Sequence, residues 1–130
     1  DNRPMTDGGM GDAIPVRYAI EQGAKQIMVV RSRLQDYRQQ TKFADAFLAF
    51  VFRNNPQLAK ILKRRSERYN ETLELIRNPP TGVNILEVCP PQGFKTSRLD
   101  RSKENLFKGY ELGRKAADSV IDQWHKMTTL

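Results

Sequence analysis

Cysteine is nearly absent from this chain. Cys89 is the single thiol in 130 residues, so no intrachain disulfide can form and a disulfide-stapled fold is excluded. Histidine is as scarce: His125 is the one imidazole, and its place near the end of the last expected helix suits a surface or capping role rather than a catalytic triad. Long apolar runs are missing too. No stretch approaches the roughly 18 to 20 residues needed to span a bilayer, and the first residues lack a signal-peptide pattern. Low-complexity tracts and internal repeats do not occur, and the seven prolines and eight glycines fall mostly at apparent element boundaries. The length is that of one domain, able to bury about two-thirds of the surface its unfolded form exposes. A hydrophobic content of 38% argues against global disorder.

Positive charge is plentiful. The net charge of +7 fits an anionic partner: nucleic acid, a phospholipid surface or an acidic protein. Much of the excess lies in Lys60, Lys63, Arg64, Arg65 and Arg68, on an expected helix that also carries Glu67, Glu71 and Glu74. Lys63/Glu67 and Arg68/Glu71 have helical spacing, so this surface is expected to be solvated and partly self-paired. Cys89 ends the apolar run from Val83 and reads as a core thiol rather than a nucleophile.

The pattern along the chain alternates helix and strand. Ile14 to Gln22 reads as a short helix with Pro15 in its first turn and Gly23 as its stop. Gln26 to Val30 follows as a nearly continuous apolar run, which suits a strand buried on both faces. From Thr41, a candidate N-cap, Phe43 to Phe52 is apolar almost all round; such a helix is either buried or meets another apolar phase, as a lid or a lipid-contacting element. Asn55 is expected to cap the next helix, with Pro56 at its first position. Leu58, Ile61, Leu62, Tyr69, Leu73 and Ile76 mark one apolar stripe on it, ending at Asn78-Pro79-Pro80-Thr81-Gly82. The two helices form an expected hairpin between strands. Val83 to Cys89 is the second strand, and Ser102 caps a last helix with Glu104 in its first turn. Leu106, Tyr110, Gly113, Ala117, Val120, Ile121 and Trp124 form a stripe expected to dock on the sheet. The order predicts an α/β fold, helix-rich with about two strands. Two strands make a poor sheet, so the chain looks like one side of a larger α/β domain.

Asp7-Gly8-Gly9 places a carboxylate at a glycine-rich turn, where glycine supplies positive φ and removes bulk beside a reactive group. Asp-Gly is also a common turn dipeptide, and alone the tripeptide carries little. Together with Pro15, Ala19, Gly23-Ala24 and Ile27-Met28-Val29-Val30, however, it resembles the aspartate segment of patatin-like phospholipases, acyl hydrolases with a Ser-Asp dyad. The remainder is similar to the C-terminal region of bacterial patatin-like proteins. The resemblance implies a C-terminal fragment of a three-layer α/β/α domain, with 1–40 as the end of the catalytic domain and 41–130 as helical hairpin, strand and terminal helix. It implies Asp7 as the dyad acid, supported by Gly8 and Gly9, acting on a lipid or small acyl-ester substrate with no metal or organic cofactor. The family's glycine-rich oxyanion loop and Gly-x-Ser-x-Gly elbow are not in this chain: Ser32, Ser66, Ser97, Ser102 and Ser119 all lack flanking glycines. The chain alone is therefore expected to be inactive, its nucleophile lying in a missing N-terminal part of the same protein. A cytoplasmic location is expected, with peripheral membrane contact through the Phe-rich helix and basic hairpin, and the truncated sheet favours self-association.

Two other readings remain. A self-standing basic module would bind nucleic acid or anionic membrane through one continuous positive face; nucleic acid is the weaker partner, because aromatics do not interleave with the basic cluster as stacking platforms do. A dinucleotide site, raised by Gly9-x-Gly11, fails at Ile14, where a third glycine is needed.

Overall fold

The computed structural model describes residues 7–40, 47, 50–96 and 100–129. After a 3-10 turn at Gly8–Met10, the described elements are α1 (Val16–Glu21), β1 (Gln26–Val30), α2 (Pro56–Lys63), α3 (Arg65–Arg77), β2 (Asn84–Val88) and α4 (Lys103–Thr128). The fold is mixed α/β, helix-rich, with two parallel strands among the described residues. Most of the expected 43–52 helix, with its cap at Thr41, lies outside the described residues; Phe47, Phe50 and Val51 are helical. The chain forms two compact units that interleave in sequence, one from 1–23 with 38–78 and one from 24–37 with 79–130.

In the first unit α1 and α2 each pack on α3. Pro15 stands at the N-cap of α1 rather than inside it, so the helix begins at Val16. Gly23 ends it at φ +90°, a conformation that costs a residue without Cβ little. The Asn55 side chain caps α2, accepting from the Leu58 N–H at 3.2 Å, and Pro56 takes the first helical position. Val16, Leu62, Leu73 and Ile76 are buried, so the expected stripe does face the core.

The single helix expected over 56–77 is instead two, broken at Arg64, where φ is −95° and ψ 3°. Lys60, Arg64 and Arg68 stand four residues apart, and like charges at that spacing oppose one continuous helix. Glu67 in the first turn of α3 favours a new N-terminus there and holds the Arg64 guanidinium at 2.9 Å.

In the second unit β1 and β2 pair in parallel from Gln26↔Asn84 to Val30↔Val88. The ladder is extended by Asn84 N–H to Lys25 C=O at 2.7 Å and Arg31 N–H to Val88 C=O at 2.8 Å. Burial of β1 on both faces does not occur: Val29 is buried, but Val30 is 74% exposed and Met28 is exposed as well. Among the described residues the strand has one hydrogen-bonded neighbour, and α4 packs on the pair.

The Ser102 side chain caps α4, accepting from Asn105 N–H at 3.4 Å. The docked stripe of α4 is rotated from the expected one. Gly109 is the buried residue, and Leu112, Ala116, Val120, Trp124 and Met127 are half-buried at three- and four-residue spacing, whereas Leu106, Tyr110, Gly113, Ala117 and Ile121 are exposed. The cause is close approach at Gly109, where a Cβ would lie 2.2 Å from Thr96 Oγ1 and 3.4 Å from the Phe94 ring. Glycine lets the helix approach Thr96 and Phe94 closely along this ridge, and the larger side chains follow.

Candidate functional site

The Asp7 carboxylate is exposed and is held by its own turn. Oδ1 accepts the Gly9 N–H at 2.7 Å, and the Asp7 C=O accepts Met10 N–H at 3.1 Å, closing the 3-10 turn that Asp7 caps. Among the described residues no other donor bonds this carboxylate. Oδ1 is thus anchored by the turn while the residue stays exposed, an arrangement that fixes the direction of the carboxylate. Positive φ is not what the glycines supply here: it occurs at Gly23, Gly82 and Gly93, not at Gly8 or Gly9. Bulk is the issue at Gly9, where a Cβ would lie 3.2 Å from Asp7 Oδ1; at Gly8 the space is open.

Beside this turn the first unit has a small open cleft of about 50 Å³. Its walls are the stretch from Gly9 to Ile14, Arg17 of α1, and the α3 face carrying Arg65, Arg68, Tyr69, Glu71 and Thr72. The 3-10 turn and Pro15 bring Arg17 to the cleft, and buried Thr72 fixes the α3 wall, its hydroxyl donating to Arg68 C=O at 3.0 Å. Arg65, Arg68, Tyr69 and Thr72 share one side of a helix by their spacing, a pattern visible in the sequence. Arg17 carries no such sign.

The five basic residues are divided between α2, the break at Arg64 and α3. Lys60, Lys63 and Arg64 are exposed at the end of α2, and on α3 the exposed Arg68 and the half-buried Arg65 line the cleft. Neither expected ion pair forms among the described residues: Glu67 takes Arg64 instead of Lys63, and Arg68 shares the cleft with Glu71 without pairing to it. Glu67 holds the exposed Arg64 guanidinium above its ordinary pKa, first by hydrogen bonding and then by charge. Phe47, Phe50, Val51 and Phe52 are exposed, and the Arg53 guanidinium lies 4.8 Å from the Phe50 ring centroid.

The second unit holds a buried pair that sequence reasoning misses. Arg31 and Glu87 form an ion pair with both side chains almost fully buried, and Arg31 also donates to Leu34 C=O at 3.4 Å and to Cys89 Sγ at 3.8 Å. A glutamate inside the apolar run Ile85-Leu86-Glu87-Val88 is its visible sign. Cys89 is half-buried; burial, then the nearby Glu87 charge, push its thiol pKa up, as suits a packed thiol and not a nucleophile. His125 is exposed in the last turn of α4, its C=O accepting Thr129 N–H at 3.1 Å.

Residues 55–128 match a family model described as a domain of unknown function, DUF6363. The chain belongs to the DUF6363 family. The matched region carries α2, α3, β2 and α4, and so the Arg65 and Arg68 wall of the cleft; the Asp7 turn and Arg17 precede it. The chain is also similar to the uncharacterized protein YjjU of Escherichia coli (strain K12), at 28% identity over 109 residues, covering 83% of this chain and 30% of that protein. It thus spans about 30% of the length of this curated relative. No solved structure matches the chain.

Proposed function

We propose that this chain is the acid-bearing part of a patatin-like serine acyl hydrolase, with Asp7 as the base of a Ser-Asp dyad. The observation that carries the reading is the Asp7 carboxylate itself: exposed, anchored through Oδ1 by the Gly9 N–H at 2.7 Å, and set at the head of the α1–β1 segment. A general base needs a fixed direction and a free lone pair, and this carboxylate has both. The reaction is ordinary acyl transfer. Asp7 takes the proton of a serine hydroxyl supplied by another part of the protein, the alkoxide attacks the ester carbonyl, and the alcohol leaves with that proton. Water then repeats the sequence on the acyl-serine, with Asp7 again accepting a proton, and releases the carboxylic acid. The exposed Phe47, Phe50, Val51 and Phe52, with Lys60 and Lys63 nearby in sequence, give such a protein an interfacial contact with an anionic bilayer.

The test uses the full-length protein that contains this chain and a p-nitrophenyl acyl ester. Hydrolysis is expected, and Asp7→Asn is expected to abolish it with the fold intact by circular dichroism. Hydrolysis retained in that variant removes Asp7 from the mechanism.

The reading as a self-standing basic module meets a geometric difficulty. It needs one continuous positive face, and the break at Arg64 separates Lys60 and Lys63 from Arg65 and Arg68. Among the described residues no helix is long and apolar enough to cross a membrane.

A further inference from the structure

We propose that the outward face of α4 is a dimerisation surface whose occupant is a second copy of this chain, with the two helices antiparallel. The inference stands apart from the acyl-hydrolase reading. α4 docks on the strand pair along the ridge from Gly109 to Met127, and a second ridge of Leu106, Tyr110, Gly113, Ala117 and Ile121, at three- and four-residue spacing, is exposed. Phe107 borders that ridge and is 66% exposed, and Tyr110 is 64% exposed. The solvent side of a surface helix is ordinarily polar, and a contiguous apolar strip there marks a contact surface. From Leu106 to Ile121 the strip runs about 22 Å along the helix.

The face is complementary to itself. Antiparallel pairing about a twofold axis between Gly113 and Arg114 sets Leu106 against the partner's Ile121 and Tyr110 against the partner's Ala117, a large side chain over a small one. Gly113 and Ala117 carry little bulk beside the axis, so the two helices can approach closely there. Parallel pairing would instead set Tyr110 on Tyr110 and Gly113 on Gly113, crowding one layer and leaving a gap in the next. Charge agrees. Arg114 and Glu111, 3.2 Å apart within one chain, stand at the axis, where the same pair from the other copy lets positive and negative groups alternate. Lys103 and Asp118 flank the ridge with opposite signs, so two copies meet here without the repulsion implied by a net charge of +7. The carboxylates of Glu104, Glu111 and Asp118 along this border also disfavour an anionic bilayer or nucleic acid as the occupant. Phe107 and Tyr110 together present roughly 200 to 300 Å², which with Leu106 and Ile121 suits a reversible dimer at the low end of interface sizes.

Sedimentation equilibrium of the 130-residue chain at up to about 200 μM, where a micromolar complex is saturated, is expected to show a monomer–dimer equilibrium. Tyr110→Glu and Ile121→Glu are each expected to weaken it at least about tenfold. Both side chains are exposed, so the fold should persist by circular dichroism. Ser119→Glu, exposed on another side of α4, should dimerise as the native chain does. Cross-linking reads the orientation. With Cys89→Ser removing the single native thiol, Leu106→Cys combined with Ile121→Cys is expected to give disulfide-linked dimers under mild oxidation, and Leu106→Cys without it is not. A chain that stays monomeric, or glutamate variants that dimerise unchanged, overturns the proposal. Efficient cross-linking through Leu106→Cys without Ile121→Cys overturns the antiparallel arrangement that defines the interface. The full-length protein that contains this chain is expected to dimerise with the same sensitivity to Tyr110→Glu. If it is monomeric, another part of the same protein covers the face and a second copy is not its occupant.

Discussion

Arg31 and Glu87 meet on one face of the parallel strand pair, diagonal to one another in the ladder. Glu87 stands opposite Val29, and Arg31 lies two residues beyond Val29, so alternation puts both side chains on the same side. Cys89, two beyond Glu87, falls on that side too and receives the Arg31 contact at 3.8 Å. The pair therefore pins the register: a one-residue slip would send one charge to the opposite face. Glu87→Gln or Arg31→Met leaves a buried charge without its partner, and each is expected to cost roughly 3 to 5 kcal/mol by urea unfolding. Replacing both residues together, Arg31→Met with Glu87→Leu, is expected to recover most of that loss. A single substitution costing under about 1 kcal/mol would show that the pair is far better solvated than its burial indicates.

Cys89 offers a second, chemical readout of the same face. Burial and the Glu87 charge raise its pKa in the folded chain, so the folded state holds the thiol proton more tightly than the unfolded state does. The sign follows: this contribution to stability is complete below the unfolded thiol pKa and is lost as pH rises through the higher folded value. Unfolding midpoints are expected to fall in the alkaline range above that of an ordinary thiol, and less so in Cys89→Ser. Alkylation by iodoacetamide, followed by mass spectrometry, is expected to be slower in the folded chain than in urea at the same pH.

Two glycines of α4 separate a steric requirement from a conformational one. At Gly113 a Cβ would meet nothing within 4 Å, so Gly113→Ala is expected to stabilise by about 1 kcal/mol through helix propensity. Gly109 should respond with the opposite sign. A methyl there would lie 2.2 Å from Thr96 Oγ1, which donates to Asn105 C=O at 3.1 Å, and Gly109→Ala is expected to destabilise by roughly 1 to 3 kcal/mol. Adding Thr96→Ala should return part of the loss. Thermal melts of the three variants check the rotation of α4 directly.

That rotation shows where the sequence stops being legible. Local chemistry sets the caps at Asn55 and Ser102 and the stops at Gly23 and Asn78, because each depends on a few neighbouring residues. Periodicity also finds Leu62, Leu73 and Ile76. It cannot choose between two apolar ridges of α4, since that choice is made by the contact of Gly109 with Thr96 and Phe94, thirteen to fifteen residues earlier in the chain. The break at Arg64 is hidden for a related reason, as charge repulsion within a helix is weak per pair and is decided by packing. At the candidate site, Asp7 can be named from its turn, whereas the cleft depends on Arg17 meeting α3 and has no local signature.

Gly9 gives a test of the proposed dyad that does not remove the carboxylate. Its N–H anchors Asp7 Oδ1 at 2.7 Å, and a Cβ at this position would press on that same oxygen at 3.2 Å. Gly9→Ala is therefore expected to swing the carboxylate, while Gly8→Ala meets open space and should be tolerated. In the full-length protein, Gly9→Ala is expected to lower kcat for a p-nitrophenyl ester by about 10- to 100-fold with KM little changed, because a misdirected base impairs proton transfer rather than binding. The fold should be unaffected, since neither Gly8 nor Gly9 has a φ that alanine avoids. Equal activity of the Gly8 and Gly9 variants would mean that the direction of the Asp7 carboxylate is not what the turn preserves.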